Sequence, residues 1–181
     1  MVKALTQYLA QKASSNSSLA PLAELLSPSS GAQVGLILTE RFINIPAQVI
    51  PPMYTMLVEE MTWAVQDKEP YTFSHYLILS KTYQEITSKL DEEDSRPKKK
   101  KKQAGAQDGE TFYFHPEDEV LHKYALAYTN FDYTRQDQNT SDSKRAFQDA
   151  GIKPQGHLIL IDGSKFEEAV KAISDYINAQ G

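Results

Sequence analysis

VGLILTERFINIPAQVIPPMYTMLVEEMTWAV, residues 34–65, passes from one kind of regular structure to another within a few dozen positions. Its first five residues, VGLIL, form the short aliphatic run that buried strands show. Its second half places Tyr54, Leu57, Val58, Met61 and Val65 at intervals of three and four, which predicts an amphipathic helix. Pro51 and Pro52 suit the start of that helix, where a missing N–H breaks no bond. ERFINIPAQVIPP is therefore a strand-to-helix connection stiffened by prolines, a property shared by binding surfaces and catalytic loops.

The pattern continues outward on both sides. Upstream, VKALTQYLA and LAPLAELL carry Val2, Leu5, Tyr8, Leu9 and then Leu19, Leu22, Leu25, Leu26 at helical spacing. Downstream, YTFSHYLIL (71–79) predicts a central strand, with a helical or mixed segment to Leu90. ETFYFH (110–115) resumes the strand pattern, PEDEVLHKYA reads as a helix with an acidic first turn, and ALAYTNFDY as another strand. SDSKRAFQDAG suggests a short helix stopped by Gly151, and HLILI (157–161) a strand. The closing SKFEEAVKAISDYINAQ predicts a helix capped by Ser164 and Glu167, burying Phe166, Val170, Ile173 and Ile177. Strands alternating with helices predict an α/β fold, a layered mixed sheet flanked by helices, as one domain over 1–181. Within it, residues 91–109 lack any apolar side chain larger than alanine and are expected to form a flexible charged loop.

Composition narrows the chemistry. The 181 residues include no cysteine, which excludes disulfides, thiolate catalysis and cysteine-based zinc sites. No signal peptide or span-length apolar stretch is visible, so an intracellular, soluble chain with no membrane partner is expected. The net charge of −5 becomes −10 once the five lysines at 98–102 are set aside. An acidic body repels nucleic-acid phosphate and steers basic proteins toward itself.

Catalytic signatures are missing. No G-x-S-x-G, G-x-x-x-x-G-K-[ST], H-E-x-x-H or G-x-G-x-x-G occurs, and eight glycines offer little for phosphate cradling. His115 and His122 flank PEDE, but their spacing matches no established metal motif, and no metal is expected. Pro97, Lys98, Lys99, Lys100, Lys101 and Lys102 form a Pro-led basic cluster of the kind a nuclear import receptor reads; a solvated charge run or a phosphate contact are the alternatives. Two acidic groups, Asp91, Glu92, Glu93, Asp94 and Glu117, Asp118, Glu119, could accept Arg and Lys from a basic client, though either alone is also ordinary surface charge.

VGLILTERFINIPAQVIPPMY, FSHYLILSKTY, FYFHPEDEVLHKYA and GHLILIDGSKFEEAV, in this order, resemble the BCCIP family of eukaryotic nuclear proteins, with ERFINIP the most specific block. The resemblance implies a fold similar to Gcn5-type N-acetyltransferases without established acetyltransferase activity. It implies an interaction protein: in fungi a chaperone and nuclear escort of a large-subunit ribosomal protein, linked to nuclear export of a lipid kinase, and in animals a partner of a recombination mediator and a cyclin-dependent-kinase inhibitor. Family members carry an acidic N-terminal tail and a further structured segment, so this chain is expected to lack an N-terminal part. The acetyl-CoA loop of the acetyltransferase fold, Q/R-x-x-G-x-G/A, has its nearest counterpart in QDAGIK (148–153). Lys153 stands where a small residue is needed, and the run ends a helix before Pro154 and a strand instead of opening a helix onto phosphates. No cofactor is expected.

These readings converge on a non-enzymatic nuclear chaperone of a basic ribosomal protein of the large subunit, in ribosome biogenesis and protein transport, located in the nucleus with shuttling to the cytoplasm. Its partners would be that client, an import receptor and other nuclear proteins, without direct nucleic-acid binding. Glu40, Arg41 and Asn44 of the stiff connection join the two acidic groups as candidate contacts, unless they only fasten the loop. The alternatives are an adaptor in DNA repair and cell-cycle control, or a divergent acyltransferase with His115 or Glu117 as base.

Overall fold

The computed structural model describes residues 11, 19–27, 31–40, 44–85, 111–133 and 151–179. Helix α1 (Ala20–Leu25) is followed by strand β1 (Val34–Leu38), a 3-10 turn (Ala47–Val49), helix α2 (Ile50–Gln66), β2 (His75–Glu85) and β3 (Thr111–Tyr113). Helix α3 (Pro116–Lys123), β4 (Ala125–Phe131), β5 (Ile152–Asp162) and helix α4 (Gly163–Ala179) complete the order. The sheet runs β1-β2-β5-β4, with β3 pairing β2 off this path. It is mixed, because β1 pairs β2 in parallel and β2 pairs β3 antiparallel.

Two compact units divide these elements. The first comprises Met1–Ser80, His115–Thr129 and His157–Gly181. In it the β1–β2 register sets Gly35 opposite Tyr76 and Ile37 opposite Ile78 on one face, and Leu36 opposite Leu77 and Leu38 opposite Leu79 on the other. Tyr76, Ile78, Ile159 and Ile161 form the sheet side of the core, with Ile50 and Tyr54 from α2, Val120 and Leu121 from α3, and Phe166, Ala169, Val170, Ile173 and Ile177 from α4. Tyr76 and Phe166 stack with ring centroids 4.0 Å apart. From α1's end of the chain, Leu19 and Leu22 are fully buried, while Leu25 and Leu26 are only partly so.

The predicted stripe of α4 is thus buried as expected, but its cap differs. The helix starts one residue earlier, and Asp162 Oδ1 accepts the Ser164 N–H at 2.8 Å and the Ser164 hydroxyl at 2.6 Å. Asp162 is the capping carboxylate and Ser164 its partner. Those bonds hold the Asp162 carboxyl below the usual range. Gly163 is required because its N–H donates to Ser74 O at 2.8 Å, and a Cβ there would lie 2.8 Å from two carbonyl oxygens.

The second unit comprises Lys81–Phe114 and Asn130–Gly156. A helical or mixed segment is predicted after Leu79, but β2 continues as strand to Glu85, because Thr82, Tyr83 and Gln84 pair with Tyr113, Phe112 and Thr111. Tyr83 stacks on Phe112 at 5.2 Å. Gly156 leaves room for the Phe131 ring, which a Cβ would meet at 2.2 Å. Gln155 donates to Asp132 at 2.9 Å, and Lys153 pairs with the same carboxylate at 2.9 Å. Gly151, at φ 72°, directly precedes β5, whose first residues Ile152 and Lys153 end the QDAGIK run; Gln148, Asp149 and Ala150 lie outside the described residues.

Candidate partner-binding site

The connection after β1 is held on either side of residues 41–43, which lie outside the described residues. Thr39 N–H and Oγ1 both donate to Leu79 O, at 3.0 and 3.2 Å. Pro46, in extended conformation, leads into the 3-10 turn, where Val49 N–H donates to Pro46 O at 3.3 Å. Pro51 and Pro52 then lie inside the first turn of α2, one position further into the helix than the sequence pattern implies. Between these anchors, Ile37, Leu38, Thr39, Glu40, Ile45 and Val49 line one side of a cleft of about 390 Å³, closed by Ile50, Met53, Tyr54, Met56, Leu57 and Glu60 of α2 and by His115 and Glu117 at the start of α3.

The rim of this cleft is apolar and open. Leu38 is 63% exposed, Met53 61% and Met56 57%, values that leave most of each side chain in water. Scattered exposed apolar residues are ordinary, but a contiguous set marks an interaction site, and methionines adapt to varied shapes. A second cleft of about 460 Å³ lies between β1 and α2, lined by Gly35, Leu36 and Ile37 with Leu57, Glu60, Met61, Ala64, Tyr71, Phe73 and Tyr76. The two share Ile37, Leu57 and Glu60. Among the described residues their linings contain carboxylates and no Lys or Arg, a set that favours a cationic ligand.

The floor holds polar groups that the sequence reading places on the surface. Glu117 is 1% and Asp118 0% exposed, so of the 117–119 group only Glu119 faces solvent. The expectation of an exposed acidic patch there is corrected: α3 buries its first two carboxylates, and the Ser80 hydroxyl donates to Asp118. Glu119 accepts from the Tyr176 hydroxyl at 3.3 Å. The Tyr54 hydroxyl, buried beside these groups, has no hydrogen-bond partner among the described residues. Burial first, then the Asp118 and Glu117 charges, push its pKa far up, so it stays protonated as a donor.

Glu40 is exposed and lines the cleft, while Asn44 is exposed beside it without lining it. Arg41, Asp91, Glu92, Glu93, Asp94, Pro97 and Lys98 to Lys102 lie outside the described residues. His115 and Glu117, the base candidates of an acyltransferase, both line the cleft. His122 sits apart from them, with its ring 4.0 Å from Tyr128 and 5.8 Å from His157. Among the described residues no group of three His, Asp or Glu could hold a metal, and no helix is long and apolar enough to cross a membrane. Sequence reasoning missed the open rim of α2. Its signal was present, since Met53, Met56, Glu60 and Trp63 recur at helical spacing as a second stripe beside the buried one.

The sheet and its helices make this a mixed α/β protein, and comparison with known proteins narrows that class to a family. The BCCIP family model matches residues 1–121. Protein bcp1 of Aspergillus fumigatus is 61% identical over 178 residues, which cover 98% of this chain and 61% of that protein. Protein bcp1 of Schizosaccharomyces pombe is 50% identical over 182 residues, 99% of this chain and 64% of that one. The crystal structure of BCP1 from Saccharomyces cerevisiae is similar in fold, with a TM-score of 0.52 and 18% identity over 97% of this chain and 60% of its own. The chain belongs to the BCCIP family, and it spans about three fifths of the length of these relatives.

Proposed function

We propose that the chain is a non-enzymatic nuclear binding protein that shields and escorts a basic ribosomal protein of the large subunit before its assembly. The observation that supports this most is the cleft between β1 and α2, whose rim is open and apolar and whose charged lining residues are carboxylates. A ribosomal protein carries cationic RNA-binding surface that must be kept from premature contacts. An acidic, apolar cleft covers such surface by ammonium or guanidinium contact and by burial of the aliphatic stems beside it. The body charge of −10 outside the lysine run adds steering over a longer range. Lys98 to Lys102 supply an import signal in this reading, and the protein works in the nucleus with shuttling to the cytoplasm. No cofactor is invoked, since Lys153 stands where the acetyl-CoA loop needs a small residue.

The test is co-expression with such a ribosomal protein followed by size-exclusion chromatography at low and high salt. A one-to-one complex that keeps the client soluble and weakens with salt supports the proposal. A client that stays insoluble beside folded chain, together with heat from acetyl-CoA in calorimetry, would favour an acyltransferase built on His115 or Glu117 instead.

A further inference from the structure

We infer that the basic client adds an extended segment as a new strand along the outer edge of β1, with its cationic side chains directed at Glu60; this rests on the binding role proposed above. The backbone sets the geometry. Thr39 N–H donates to Leu79 O on β2, and backbone groups alternate sides along a strand, so Gly35 and Ile37 also face β2. Val34, Leu36 and Leu38 therefore turn their N–H and C=O groups away from it. Among the described residues β1 is the terminal strand on this side and pairs with β2 alone.

An edge of this kind is usually blunted by lysine, proline or a bulge, because it templates pairing with other chains. VGLIL has none of these, and Leu36 and Leu38 are 49% and 63% exposed. The two clefts follow one another along the strand, the first at Gly35–Ile37 and the second at Ile37–Leu38. An added strand places same-face side chains about 7 Å apart, so successive alternate residues would enter successive clefts. Glu60 lines both clefts and stands within reach of a Lys or Arg in either.

Charge decides the occupant. Glu40 and Glu60 are the charged residues described between 31 and 66 that line these clefts, and no Lys or Arg is described there; Arg41, next to Glu40, lies outside the described residues. A second copy docking edge to edge would set these carboxylates against their own equivalents, whereas a basic segment meets opposite charge.

The test uses a labelled nine-residue peptide alternating valine with lysine, the same peptide N-methylated at alternate amides, and three variants of the full chain. Leu36→Pro removes one outward N–H and no β1–β2 bond, Leu36→Thr keeps that N–H, and Glu60→Lys reverses the charge. Wild type is expected to bind the unmodified peptide, with Leu36→Pro weakening it at least about fivefold, the loss of one strand hydrogen bond, and Leu36→Thr by less. Glu60→Lys is expected to weaken it and flatten its salt dependence. If Leu36→Pro fails to fold, the N-methylated peptide decides with wild-type protein: equal binding of both peptides overturns strand addition. So does a wild-type dimer that Leu36→Pro or Leu38→Asp dissociates. A whole ribosomal client that binds wild type and Leu36→Pro equally also overturns it while leaving the proposed function standing; a client that binds neither removes the proposed function itself.

Discussion

Lowering the pH from 7.5 should destabilise the protein through His157, well before carboxylate protonation dominates. His157 is 1% exposed on β5, with the His122 ring 5.8 Å and the Tyr128 ring 6.3 Å from its own. Burial first, then the His122 charge, lower its pKa from 6.5 to about 4. Between those values only the unfolded chain takes up the proton, so stability present above pH 6.5 is lost as pH falls and levels off below about 4. At 1.36 kcal/mol per pH unit the full interval is worth about 3 kcal/mol, of which about 1 kcal/mol should be gone by pH 5.5. His122, whose pKa burial also lowers, adds loss of the same sign. Urea unfolding at pH 7.5, 6.5, 5.5 and 4.5 on wild type and His157→Gln reads this directly, since other titrations are common to both chains. The variant should lose about 2.5 kcal/mol less than wild type between pH 7.5 and 4.5. Parallel pH profiles, or a His157 ring resonance titrating near 6.5, would refute the reasoning.

Other perturbations test the fold and the cleft separately. Gly163→Ala should cost about 1–3 kcal/mol in chemical unfolding, because the new methyl meets the Phe73 and Ser74 carbonyls. Phe166→Ala removes the 1% exposed ring stacked on Tyr76 and should cost about 3–5 kcal/mol by the same measurement. Ser80→Ala takes the donor from buried Asp118 and should cost about 1–3 kcal/mol. Leu38→Asp, at a 63% exposed position, should leave the unfolding free energy within about 0.5 kcal/mol of wild type while weakening binding of the proposed client in a pull-down.

The sequence was most legible where one periodicity ran without competition. VGLIL became β1 at its expected bounds, and Phe166, Val170, Ile173 and Ile177 became the buried stripe of α4. Boundaries failed where two residues could serve one purpose. Asp162 and Ser164 are both good caps, and the choice depended on Gly163 fitting against the Ser74 carbonyl, a tertiary contact. The polar run Ser80–Glu85 looked unlike a strand because its partners, Thr111–Tyr113, lie some thirty residues away across a charged segment.

Parts of the candidate cleft were legible in the sequence. ERFINIP stood out by composition, and Glu40 does line the cleft. Glu117 and Asp118 were read as surface charge because carboxylates rarely go inside, yet their neighbours Val120 and Leu121 pull α3 against the core. Val65 belongs to the apolar periodicity of α2 yet is 42% exposed, since Ile50, Pro51 and Tyr54 anchor that helix at its other end.

The placement of client binding on β1 and the exposed rim of α2 is tested most directly by hydrogen–deuterium exchange of the chain with and without the proposed basic ribosomal client. Slowed amide exchange at Val34–Leu38 and across Met53–Glu60, with α4 unchanged, is the expected result. A stable complex that leaves those amides untouched and protects another surface would contradict it.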